Sequence, residues 1–271
     1  MNFKDCIDSY PFILMEGALG ERLKREFDLD ISGTVAMADL IYQQKGRMAL
    51  KTLWNEYMDI AHRYQLPFLA ITPTRRANKE RVYMAGYNES IITDNVDFLR
   101  TIKETVNVNM YIGGLMGCKG DAYTSERALN QEEAIAFHSW QASLFKSVGV
   151  DFLYAGIMPV VSEAIGMAVA MSDTDIPYII SFTIQRNGKL IDGHTINDAI
   201  YYINNHVSNK PVCYMTNCVH PDIVYEALSH KFNQTQMVKN RFWGIQANTS
   251  RLSYKELDGA KNLRTSSAVD L

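Results

Sequence analysis

Short apolar runs, rich in β-branched and aromatic residues, alternate along the chain with longer segments whose apolar positions recur at helical spacing. Seven of the short runs predict strands, at residues 12–15, 68–72, 110–113, 152–154, 178–183, 212–216 and 242–246. The longer segments predict helices at 48–64, 94–105, 130–148, 161–171, 195–205 and 221–230. Helix starts carry local signals: Asn130 with Glu133 fits a capping box, and Pro221 suits a first helical position, where its missing N–H costs nothing. Strand–helix alternation of this kind predicts parallel β/α units, hence an α/β fold. Six or more units in succession point to a (β/α)8 TIM-type barrel, with an open doubly wound sheet as the other arrangement the periodicity allows. No Pro/Gly/Ser-rich linker, low-complexity run or close repeat interrupts the pattern, so residues 1–271 read as a single domain. After the strand at 242–246 an eighth falls due only where the sequence stops; the expectation is a barrel apparently lacking its eighth β/α unit, with residues 266–271 opening a helix.

Composition narrows the function classes. With 47% hydrophobic and 21% charged residues the chain can bury a sizeable core. A net charge of −3 provides no basic footprint for nucleic acid or an anionic membrane. The most apolar stretch, 152–161, is closed by Ser162 and Glu163 and is far shorter than the roughly 20 residues a spanning helix needs. With no signal-peptide pattern at the N-terminus, a cytoplasmic location is expected, and the four cysteines (Cys6, Cys118, Cys213 and Cys218) read as thiols rather than a disulfide framework.

In parallel β/α folds, ligands gather at the carboxyl ends of the strands, which directs attention to the segments after each run. Glu16-Gly17 follows the first, an acid beside a glycine that lets a ligand approach the backbone. Thr72-Pro73-Thr74-Arg75-Arg76 follows the second; its arginines suit a carboxylate or phosphate, or equally a solvated rim with salt bridges. Gly113 to Gly120 after the third fits neither a dinucleotide fingerprint nor a P-loop and is expected to be a mobile loop. Asn217-Cys218-Val219-His220 follows the sixth, with Cys218 placed for chemistry, Cys213 inside the strand as a core thiol, and His220 either a second metal ligand or a polar residue before the helix start at Pro221. Asn248-Thr249-Ser250 follows the seventh. Between 181–184 and 190–191 an Asn187-Gly188 pair predicts a type I′ hairpin, either a substrate lid or an ornament of the rim.

Four segments resemble the homocysteine S-methyltransferase family in order and spacing: Ile13-Leu14-Met15-Glu16-Gly17-Ala18-Leu19-Gly20; Phe182-Thr183 with its hairpin and Asp192-Gly193; Thr216-Asn217-Cys218-Val219-His220-Pro221; and Gly244-Ile245-Gln246-Ala247-Asn248-Thr249-Ser250. The resemblance implies a (β/α)8 barrel that moves a methyl group from a small donor to the thiol of homocysteine, activated by Zn2+ on three cysteines. Cys218 matches the first of these, as metal ligand and catalytic residue, and Glu16, Gly17, Thr72, Asn217 and Asn248 are the implied substrate contacts. A small-molecule thiol and a methyl donor, preferably a sulfonium, are the implied partners. Three departures stand out. The Gly-Gly-Cys-Cys pair that supplies the other two ligands does not occur. Glu16 replaces the usual aspartate. Ala155-Gly156-Ile157 stands where the family has Phe-Glu-Thr, so the carboxylate partner of the substrate amine is missing and either Glu16 takes its place or the acceptor is another thiol. The other reading is a non-catalytic member that binds a small thiol or amino acid without zinc.

Overall fold

In the computed structural model, which describes residues 1–257, 262–267 and 269, seven strands form one sheet in sequence order. They are β1 (Leu14–Met15), β2 (Phe68–Ile71), β3 (Met110–Gly117), β4 (Phe152–Met158), β5 (Tyr178–Phe182), β6 (Cys213–Val219) and β7 (Phe242–Ala247). The registered pairs β1–β2, β2–β3, β5–β6 and β6–β7 are parallel. The helices are α1 (Phe3–Ser9), α2 (Leu19–Glu26), α3 (Gln44–Tyr64), α4 (Lys79–Met84), α5 (Ser90–Lys103), α6 (Gln131–Val148), α7 (Val161–Ser172), α8 (Ile196–His206), α9 (Pro221–Ser229), α10 (Gln236–Arg241) and α11 (Tyr254–Leu257). This is an α/β fold with the strand order of a TIM-type (β/α) barrel through seven units, and no eighth strand occurs among the described residues. Residues 268, 270 and 271 of the helix expected at 266–271 lie outside the described residues, and 266–267 are irregular.

All seven expected strands form, but three run further than their sequence suggests. The glycines expected in a mobile loop at Gly113 to Gly120 are instead strand as far as Gly117, and every residue of β3 is buried. Their role is close approach: a Cβ on Gly113 would sit 2.4 Å from Cζ of Phe152, and one on Gly114 would sit 2.6 Å from Cγ of Phe145. Two phenyl rings lie flat against the β3 backbone, so glycine here is a packing requirement rather than a flexibility signal. β4 likewise continues through Ala155-Gly156-Ile157 to Met158, and β6 through Cys218 to Val219.

Contacts divide the chain into two compact units. The first comprises Met1–Met116, Ala136–Tyr154 and Thr174–Pro177; the second comprises Gly117–Ile135, Ala155–Asp173 and Tyr178–Leu271. The core of the first unit is aromatic. Trp54 on α3 meets Phe98 on α5 with ring centroids 6.0 Å apart, and Phe3 stacks on Phe152 at 4.7 Å. Each such ring contributes about 1.5–3 kcal/mol by burial alone. In the second unit, ten of the twelve residues of α7 are buried, and a Cβ on Gly166 would lie 2.4 Å from that of Ala134 at the start of α6. Phe182 of β5 stacks on Tyr214 of β6 at 5.5 Å.

Caps follow the chemistry expected of them. Asn130 and Glu133 close a reciprocal capping box, Thr195 and Asp198 form another at α8, and the His220 ring caps α9 by accepting from the Asp222 N–H. The Asn187-Gly188 hairpin forms with a different turn. Gly188 donates to Gln185 O, Gln185 donates to Lys189 O, and Gly188 alone is left-handed, at φ +77°. A type I′ turn needs two residues of positive φ; this is a three-residue loop closed by a left-handed glycine. Asn233 fixes it from below, donating to Gly188 O and Ala227 O while accepting from the Asn197 N–H.

Candidate functional site

In the first unit, the ends of β1 and β2 create the environment of Glu16. Backbone pairing of β1 with β2 stops at Met15 and Leu69, and the Ile71 N–H donates instead to Oε1 of Glu16 at 2.8 Å. The carboxyl therefore extends the ladder beyond the strand. It is only 3% exposed, and burial pushes its pKa up to about 8, opposed by the hydrogen bond from the Ile71 backbone. Glu16 is a neutral acid at pH 7. Beside it a Cβ on Gly17 would meet nothing within 4 Å, so open space lies against that backbone, whose carbonyl accepts from the Tyr57 hydroxyl.

Thr72 is buried and fully engaged. Its Oγ1 accepts from the Leu115 N–H at 3.1 Å and lies 2.7 Å from Oγ1 of Thr74, which donates in turn to Leu115 O. The two threonines fasten the carboxyl end of β2 to β3. Of the two arginines that follow, Arg76 is exposed, whereas Arg75 is half-buried and makes no hydrogen bond or ion pair with any described residue.

In the second unit, Cys218 breaks the pattern of its strand. Every other residue of β6 is buried and Cys218 is exposed. The cause is a bulge: Asn217 pairs with Gln246 and Val219 with Ala247, which leaves Cys218 as an extra residue with φ +61°. The bulge turns the thiol out of the alternation. Asn217 orients towards it, with Nδ2 donating to Cys218 Sγ at 3.6 Å and Oδ1 accepting from the buried Ser181 hydroxyl at 2.5 Å. Ser181 thereby decides which end of the amide faces the sulfur. Asn248 lies just beyond β7, its N–H donating to Val219 O and its Oδ1 accepting from the Ser250 N–H. Asp222 pairs with Arg251 at 2.6 Å. Ile157, at the end of β4, is a second strained position, a β-branched residue at φ +59°. Cys213 is buried in the strand as expected, and burial pushes its pKa up to about 12.

The predicted residues thus fall into two groups. Glu16, Gly17 and Thr72 belong to the first unit; Asn217, Cys218 and Asn248 belong to the second. Two supporting residues were not evident from sequence, Ser181 behind Asn217 and the fully buried Glu163, the sole ionisable side chain of α7. A single acid in an otherwise apolar helix was the available signal for the latter. Asp192, part of a segment that carries the family resemblance, accepts from the Val161 N–H and so starts α7.

The model of the homocysteine S-methyltransferase family matches residues 13–266. The chain belongs to this family. Among solved structures it is similar to the homocysteine methyltransferase MmuM from Escherichia coli, in its metallated form (TM-score 0.68, 19% identity, 83% of this chain and 81% of that one) and its oxidized form (TM-score 0.69, 19% identity, 83% and 80%). At that identity the likeness is one of fold. No curated protein matches by sequence.

The zinc that the family implies does not fit the described residues. No group of three or more His, Cys, Asp or Glu side chains among them is placed to hold a metal ion, and Cys218 is the one thiol of the expected set. His220 lies two residues on, with Nδ1 committed to the Asp222 N–H and Nε2 buried without a hydrogen-bond partner, and it belongs to no such group.

Proposed function

We propose that the protein transfers a methyl group from a small sulfonium donor to the thiol of homocysteine or a close analogue, giving methionine in the first case. Family membership supports thiol methylation, and the observation that carries the reading to particular residues is the bulge that displays Cys218 beside the Asn217 amide at the carboxyl end of β6. Methyl transfer is an in-line displacement: the acceptor thiol gives up its proton to solvent, its sulfur forms a bond to the methyl carbon, and the donor sulfur takes the bonding pair, so the sulfonium leaves as a neutral thioether. The protein's share is alignment and exclusion of water. In this reading Asn217 and Asn248 are the substrate contacts of the second unit, beside Cys218, and Glu16, Gly17 and Arg75 are those of the first, suited to the ammonium, the backbone approach and the carboxylate of an amino acid. Thr72 acts on the site from behind, since it is fully buried, its hydroxyl is occupied and its N–H donates to Gly113 O. An arriving ammonium would lower the pKa of Glu16, whose proton would then leave to solvent, converting a neutral buried acid into the counter-ion. No step is routed through zinc.

The test is methylation of homocysteine with S-methylmethionine and with S-adenosylmethionine, followed by product mass. Cys218→Ser abolishes turnover, and Arg75→Gln raises KM for homocysteine about ten-fold, as expected for loss of a charge-assisted pair, with kcat less affected. Methionine formation that persists in Cys218→Ser would refute the assignment. The second reading, a protein that binds a small thiol or amino acid without metal, is favoured by the incomplete ligand set. It predicts homocysteine binding by calorimetry with no turnover for either donor.

A further inference from the structure

Glu163, on α7, is fully buried. Its two oxygens accept from backbone N–H groups ten residues apart in sequence: Oε1 from Lys119 at 2.7 Å and Oε2 from Leu129 at 3.3 Å. These are the two feet of the loop 118–130, which joins β3 to α6. Ser162, next to Glu163, donates to Leu129 O at 2.9 Å and reinforces the second foot. Above the feet the limbs touch, because a Cβ on Gly120 would lie 2.1 Å from Glu126 O. At the tip, Asp121 Oδ1 accepts from the N–H groups of Tyr123 and Thr124. The segment is a compact Ω-type loop with its own internal packing.

Its far contacts give it a direction. Thr183, directly after β5, donates to Ala122 O at 2.9 Å. Tyr123 stacks on Tyr254 of α11, beyond β7, with centroids 4.4 Å apart and planes 18° from parallel. β6, the strand that displays Cys218, lies between β5 and β7 in the sheet. We infer that Glu163 is a positioning residue that sets access to Cys218: it clamps both feet of the 118–130 loop, and the loop arches from β5 to the segment after β7, across the strand that carries the thiol. The clamp needs two acceptor oxygens on one side chain. A glutamine would keep one acceptor and set an NH2 group against the other N–H. The loop would then open more often while the sheet beneath it stays intact.

The inference rests on Cys218 as the thiol of the reaction site, but its test reads that thiol without methyl transfer and so stands or falls apart from the proposed activity. N-ethylmaleimide and fluorescein-5-maleimide share one chemistry and differ in size. Their rates at Cys218, followed by peptide mass spectrometry, give a ratio that a general loss of stability does not move when only folded protein is compared. In Glu163→Gln the bulky reagent gains about ten-fold over the small one, the scale set by losing a charged hydrogen bond. Tryptic cleavage after Lys119 and Arg127 accelerates in parallel. Thr183→Val, close to isosteric, releases only the far anchor and moves the ratio in the same direction; it decides the matter if Glu163→Gln fails to fold. An unchanged ratio in either folded variant overturns the inference.

Discussion

A carboxyl group that completes a strand ladder has a measurable signature. Because Glu16 is more easily protonated in the folded chain (about 8) than at the usual value of 4.5, folding favours its neutral form. Its contribution to stability is therefore fully present below about pH 4.5 and is lost as the pH rises towards 8, at roughly 1.4 kcal/mol per unit of the window at most. Glu16→Gln, which still offers an oxygen to the Ile71 N–H, should match the wild type near pH 4.5 and exceed it at pH 8 in urea unfolding. A difference independent of pH would mean that the carboxyl is already ionised. Sequence located Glu16, since an acid at the end of a first strand is conspicuous. It did not reveal that burial raises the carboxyl's pKa, because β2, whose Ile71 N–H it accepts from, lies 55 residues further along the chain. Ser181 escaped for the same reason: it lies 36 residues before Asn217 and acts only through register.

Strands and helices of ordinary length were legible because they alternate cleanly between period two and period 3.6. The errors fall at glycine. Gly113 and Gly114 carry no side chain whose pattern could be read, so β3 was expected to stop at Gly113 and its second half to be a loop, although the rings of Phe152 and Phe145 demand glycine on that strand. Short elements such as α1, α4 and α10 also went unread, at six or seven residues each, too brief to show a helical period. The two kinds of glycine separate experimentally. Gly113→Ala forces a methyl into a buried ring and should cost about 1–3 kcal/mol or more in unfolding free energy. Gly17→Ala, with open space around it, should stay within about 0.5 kcal/mol of wild type while weakening ligand binding. Equal costs at the two positions would contradict the assignment of Gly17 to the ligand side.

At the level of the whole molecule, sequence and structure agree on seven units in TIM-type order, and the family model bears out the resemblance read from four segments. One cysteine of the implied set is displayed, and the described residues offer no companions. A metal that binds the folded state raises its melting temperature by mass action. Zinc at tens of micromolar should therefore leave the melting temperature of this 271-residue chain unchanged within about one degree. A clear rise that Cys218→Ala removes would show that further ligands come from beyond the described residues. No helix among those residues is long and apolar enough to cross a membrane.

The bulge at Cys218 holds a side chain in a backbone conformation where none is sterically welcome. Glycine there would relax the strand, and asparagine would be better tolerated than sulfur. Any lineage that lost its use for the thiol would be expected to drift at this position before others, gaining stability as it did so. On the proposed assignment of Cys218 as the reaction thiol, the residue at 218 reports whether a relative still performs chemistry, readable in a single codon.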